Sequence, residues 1–170
     1  MTRDVGARIR ALREARGLSL SALAAEAGIG KGSLSELETG RRNPTLDTLY
    51  AVAGPLGVPL ASLLDDHDGA VIGDEGVVAT RVRVVREPER TTEVYLLRFA
   101  PGAARTSPAH VAGVEEQLIV LSGAGVVAYD DQEVAVGPGD HVRFAADRPH
   151  AYRAAADTAL EAVNVIVTPA

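Results

Sequence analysis

The feature that most limits how this chain can fold is a change in the period of its apolar residues near position 65. Before that point apolar side chains recur at helical spacing: Val5, Ile9 and Leu12; Leu20, Leu23, Ala24 and Ala27; Leu34 and Leu37; Leu46, Leu49, Tyr50 and Ala53. Each set lasts two or three turns, and Gly17, Gly28, Gly40 and Gly57 punctuate them where a helix end takes a left-handed residue. The pattern predicts four short helices and a fifth around Leu60 to Leu64. After it the period becomes two, over Thr80 to Val84, Glu93 to Phe99, Gln117 to Leu121, Gly125 to Tyr129, Glu133 to Val136, His141 to Phe144 and Leu160 to Val167. Short strands divided by turn signals, with no helix between them, argue for an antiparallel sandwich or barrel. The chain is therefore expected to be an α + β protein of two domains. A helical domain covers 1–66, a short polar linker containing His67 covers 67–72, and a strand domain covers 73–170.

Composition narrows the partners. No apolar run approaches the roughly 20 residues needed to span a bilayer, and the first residues form a charged helical pattern instead of a secretory core, so a cytoplasmic protein without a membrane partner is expected. With no cysteine, any metal must be held by histidine and carboxylate. The net charge of -6 looks wrong for a nucleic-acid binder until it is divided by position. Residues 67–170 carry all of the excess, with fifteen acidic and nine basic side chains. Residues 1–45 hold eight basic against five acidic ones, so contact with a phosphate backbone belongs there.

The segment from Leu18 to Gly40 is the most specific. Ser19 can cap a helix running to Ala27, Gly28 supplies a tight turn, and a second helix runs from about Lys31 to Glu38. Leu23, Ile29, Leu34 and Leu37 would face inward, and Ala24 is small enough for two helices to cross closely. Lys31, Gly32, Ser35 and Glu36 are left on the outer face, able to enter a major groove. With its flanks, Ile9 to Gly17 before and Gly40 to Pro44 after, this stretch resembles the lambda-repressor-like (Xre) helix-turn-helix family across roughly residues 5–64. The resemblance implies a five-helix DNA-binding domain that binds double-stranded DNA. It also implies base-edge contacts from Lys31, Gly32, Ser35 and Glu36, phosphate contacts from Ser19, Ser33, Arg41 and Arg42, and a buried ion pair between Arg13 and Glu38. Plainer readings stand beside these: Ser19 as a cap only, Arg41 and Arg42 as a solvated loop, and the whole segment as a helical protein-interaction module.

From Pro101 onward the sequence resembles a cupin, a double-stranded β-helix (jelly-roll) barrel. One motif is Pro101 and Gly102, then Pro108 to His110, Glu116 and Gly123; the other is Gly139 and Asp140, then Phe144, Pro149 and His150. Metal-binding cupins hold one ion with a His-x-His pair, a glutamate and a later histidine. Here Pro108 stands at the first histidine position and Ala154 where the second motif ends in asparagine, leaving His110, Glu116 and His150. Glu116 is preferred to Glu115 because the strand must alternate in register with Gly123. Two histidines and a carboxylate suit one divalent metal ion such as non-haem iron; the alternative is a polar lining for an organic effector. His141 is expected to point outward. The resemblances together imply a transcriptional regulator rather than an enzyme, a homodimer joined largely through the barrel and responsive to a small-molecule effector. The alternative is a mononuclear iron enzyme, since a helical head joined to an iron cupin also describes certain epoxidases.

Overall fold

The computed structural model describes residues 2–64, 69, 71–73 and 76–169, and divides the chain into two compact units, Met1–His67 and Asp68–Ala170. Half of the expected linker, including His67, lies outside the described residues; Val71 and Ile72, assigned to it above, belong to a strand.

The first unit holds four α-helices: α1 (Thr2–Ala15), α2 (Leu20–Glu26), α3 (Lys31–Glu38) and α4 (Leu46–Ala53). Ser19 caps α2 by accepting from the Ala22 amide at 3.0 Å, and Thr45 caps α4 by accepting from Thr48 at 3.2 Å. Each such cap contributes about 1 kcal/mol. Ile9, Leu23, Leu34, Leu37, Leu49, Val52 and Leu56 are buried, each stabilising by about 1.5–3 kcal/mol before entropy is counted. A Cβ added to Gly6 would sit closer than 3.0 Å to the Leu37 carbonyl oxygen, so α1 and α3 pack at a distance only glycine permits.

The fifth helix expected around Leu60 to Leu64 is instead a single 3-10 turn, Leu60–Ser62. Its bonds run from Ser62 to the Pro59 carbonyl and from Leu63 to the Leu60 carbonyl, both at 2.9 Å. Spacing of three keeps Leu60 and Leu63 on one side, so the segment buries its leucines without forming an α-helical turn.

Among its described residues the second unit has ten antiparallel strands: β1 (Val71–Gly73), β2 (Val77–Glu87), β3 (Arg90–Phe99), β4 (Ala104–Ser107), β5 (Glu115–Ser122), β6 (Gly125–Tyr129), β7 (Gln132–Val136), β8 (His141–Ala145), β9 (His150–Ala154) and β10 (Leu160–Pro169). They form a six-stranded sheet in the order β1-β2-β3-β10-β5-β8 and a four-stranded sheet in the order β4-β9-β6-β7. Burial alternates along the strands: β10 buries Leu160, Ala162, Asn164, Ile166 and Thr168 and turns the intervening residues outward. Register stacks the inward residues into rows. Val77, Phe99 and Leu160 form an apolar row, and Arg81, Tyr95, Asn164 and Leu118 form a more polar one; Glu93, Ile166, Glu116 and Phe144 lie on β3, β10, β5 and β8 one step further on. The interior thus grades from apolar at one end of β10 to polar at the other.

Candidate nucleic-acid interface and interior polar site

In the helical unit, Gly28 at φ +64° turns the chain between α2 and α3, and Leu34 and Leu37 bury the inner face of α3. The outer face carries exposed Lys31, Gly32 and Glu36 with half-buried Ser35. Glu38 anchors this helix from behind. Arg13 on α1 donates from Nε and Nη2 to its two carboxylate oxygens at 2.6 and 2.9 Å, and from Nη1 to the Leu18 carbonyl at 2.9 Å. Fork-to-fork pairing of this kind fixes orientation as well as distance. In the loop after α3, Arg42 donates to the Ser33 hydroxyl and Arg41 to the Thr39 hydroxyl, each at 3.2 Å. The Ser19 oxygen accepts the cap bond, and its own O–H remains a donor.

In the strand unit, His110, Glu116 and His150 come together, with their potential ligand atoms within 4.8 Å of one another. Glu116 points inward from β5, whereas neighbouring Glu115 points out and takes Arg143 at 2.6 Å. The choice between the two glutamates follows from strand register. The strand ends at Gly123, at φ +80°, where a Cβ would collide with the Ala159 carbonyl. His110 lies beyond β4 in a loop tied down by its amide bond to the Ala146 carbonyl at 2.9 Å. His150 opens β9, and its Nδ1 lies 3.0 Å from the Arg148 carbonyl. That contact orients the ring so that Nε2 faces Glu116. His141 is exposed on β8, away from the cluster.

Glu116 is held on both oxygens. Its Oε1 lies 2.7 Å from His110 Nε2 and 3.4 Å from His150 Nε2; its Oε2 accepts from Tyr152 Oη and, at 2.9 Å, from Asn164 Nδ2. Burial alone would push this carboxyl up. The hydrogen bond with His110 and the nearness of His150 outweigh burial and hold it well below the ordinary 4.5. Phe144 closes one side, its ring 5.2 Å from His150 and stacked on Tyr129 at 4.8 Å. Among the described residues His150 Nε2, Ser107 Oγ and Asn164 Oδ1 are buried without a hydrogen-bond partner.

Two parts of the chain match family models: residues 9–63 a helix-turn-helix and residues 95–166 a cupin domain. The chain is 30% identical to the HTH-type transcriptional regulator SutR of Escherichia coli (strain K12), over 90% of this chain and 88% of that one. The chain belongs to the Xre-type helix-turn-helix regulators with a cupin domain. The crystal structure of an HTH_3 family transcriptional regulator from Vibrio cholerae superposes with a TM-score of 0.87 at 26% identity, covering 99% of this chain and 97% of that one. The cupin domain of an XRE family transcriptional regulator from Enterobacter cloacae is 30% identical over 54% of this chain and 96% of that one, with a TM-score of 0.51.

This cupin domain departs from the family's four-ligand pattern where β4 ends. The inward positions there are Arg105 and Ser107, both buried, and Pro108 follows the strand exposed. Sequence reasoning did not find the two groups that hold Glu116 Oε2. Tyr152 was legible as the residue two beyond His150 on the same strand face, and Asn164 as a polar residue at an inward position of an otherwise apolar alternation.

Proposed function

We propose that this protein is a sequence-specific DNA-binding regulator of transcription that works as a cytoplasmic homodimer and responds to a small molecule bound inside its cupin domain. The observation that carries the DNA reading is the presentation of α3: Leu34 and Leu37 bury its inner side, Arg13 fixes Glu38, and Lys31, Gly32, Ser35 and Glu36 face outward. Ser19, Ser33, Arg41 and Arg42 surround that face with hydroxyl and guanidinium donors suited to phosphate oxygens. Replacing both Arg41 and Arg42 by Ala is expected to weaken binding to every DNA sequence and to flatten the logarithmic salt dependence by about 2, near 0.9 per lost phosphate contact. An unchanged slope in fluorescence-anisotropy titrations at several salt concentrations sinks the assignment.

In the barrel the two sheets close as a jelly roll around the inward rows. His110, Glu116 and His150 fit a divalent metal ion: two imidazoles and a carboxylate are the donor set of open-sided iron sites, and His150 presents a buried nitrogen with no hydrogen-bond partner among the described residues. The bound ion would supply Lewis acidity and open positions for an effector's oxygen atoms. A twofold dimer would present two reading heads to half-sites about one helical turn apart. The outer face of the six-stranded sheet supports pairing, with Leu96, Val163 and Ile119 in register across three strands and Ile119 and Leu121 exposed. The enzyme alternative has only the ligand set in its favour, and an effector site would share that set.

A further inference from the structure

The ligand set does not account for all the charge in the cupin interior. Among the described residues four charged side chains are buried there: Arg81, Glu93, Arg105 and Glu116. Two guanidiniums and two carboxylates balance formally. Glu116 is fully engaged with His110, Tyr152 and Asn164, and Glu93 accepts from Tyr95 at 2.7 Å. A divalent ion held by the histidines and Glu116 would leave the interior two positive charges in excess. Uncompensated charge in a dry interior is costly, so the loaded site favours a counter-anion.

The structure also shows where such an anion has donors. Strand β4 pairs with β9 so that Arg105 lies opposite Tyr152 and Ser107 opposite His150. Its inward face therefore runs beside the cluster, supplying a buried guanidinium and a buried hydroxyl. The Ser107 hydroxyl has no hydrogen-bond partner among the described residues, and the nearby His150 Nε2 has only the 3.4 Å approach of Glu116. Apolar Leu97, Phe99 and Leu118 are buried on inward rows of the larger sheet.

We propose that the effector is a small organic dianion of the dicarboxylate class, one carboxylate received by Arg105 and Ser107, and that it binds together with the metal ion. The inference rests on the metal and effector reading above. A cationic effector such as a diamine is disfavoured by the same buried guanidiniums.

The test uses the full-length protein in calorimetric titrations, with Co(II) first and then succinate, glutarate or adipate, which chelate weakly in solution. Butane-1,4-diamine, with the carbon count of succinate and the opposite charge, is the counter-probe. At least one dicarboxylate is expected to bind about tenfold more tightly to the Co(II)-loaded protein than to the metal-free one. Arg105→Met should weaken that binding about tenfold and Ser107→Ala by a smaller factor, with Co(II) affinity left unchanged. Ser107→Ala also guards against misfolding of the arginine variant, and circular dichroism checks both. The proposal is overturned if no dicarboxylate binds, if the diamine binds more tightly, or if both folded variants bind as the parent does. If Co(II) itself does not bind, the metal reading fails on its own; dependence of dicarboxylate binding on Arg105 in the metal-free protein then decides the anion site separately.

Discussion

Arg13 reaches Glu38 with two nitrogens and the Leu18 carbonyl with a third, and the two side chains keep only 11% and 6% of their exposure. Removing one partner strands the other, so Glu38→Gln or Arg13→Met is expected to cost about 2–3 kcal/mol, somewhat less than the about 3–5 of a fully buried pair. Urea denaturation measures it, and a double-mutant cycle should return most of that loss as coupling; additive single losses would show that the pair does not act as a unit. Glu36 is exposed on the outer face of α3 that is proposed to meet DNA, where a carboxylate would accept from cytosine N4. Glu36→Ala should leave stability within about 0.5 kcal/mol and relax base preference at one half-site position by about 1–3 kcal/mol. A selection of bound sequences from a random pool that returns the parental preference counts against this placement.

Two glycines on facing helices separate packing from recognition. Gly6 lies against the Leu37 carbonyl, so Gly6→Ala should destabilise the helical unit by about 1–3 kcal/mol as α1 is pushed off α3. Gly32 has nothing within 4 Å of where its Cβ would stand, so Gly32→Ala should stabilise by about 0.5 kcal/mol through helix propensity. It should still weaken DNA binding, because the added methyl would stand on the face proposed to read DNA. A thermal melt and a binding isotherm on the same variant check both halves, and unaltered DNA affinity would place Gly32 outside the interface. The helices and the main strands were legible because their apolar residues keep one period and face one way. Strands β4 and β9 were not, because most of their inward residues are polar, against the rule that strand interiors are apolar: Arg105, Ser107, His150 and Tyr152 face inward beside Ala154. The short β1, Val71–Gly73, offers too few residues to show any period, and the leucines of residues 60–64 suit a 3-10 turn as well as an α-helix. The candidate ligand residues were visible as a motif, but their carboxylate's second oxygen and its partners depend on pairing between strands far apart in the chain.

Two compact units with separate cores should unfold in two steps. Co(II) at a hundredfold excess over its dissociation constant should raise only the cupin step, by about 2.7 kcal/mol, and Glu116→Gln should abolish the rise. Differential scanning calorimetry separates the two; an equal shift of both steps would show that the ion acts elsewhere. The topology has a consequence in time as well. The described helices of the first unit end by Ser62, but β10, which lies between β3 and β5 in the larger sheet and carries Asn164, spans Leu160–Pro169 and follows every other described strand in chain order. During synthesis at about 5–20 residues per second, about 5–20 s separate the two events. Each newly made molecule therefore passes through an interval in which its helix-turn-helix has formed and its cupin domain has not.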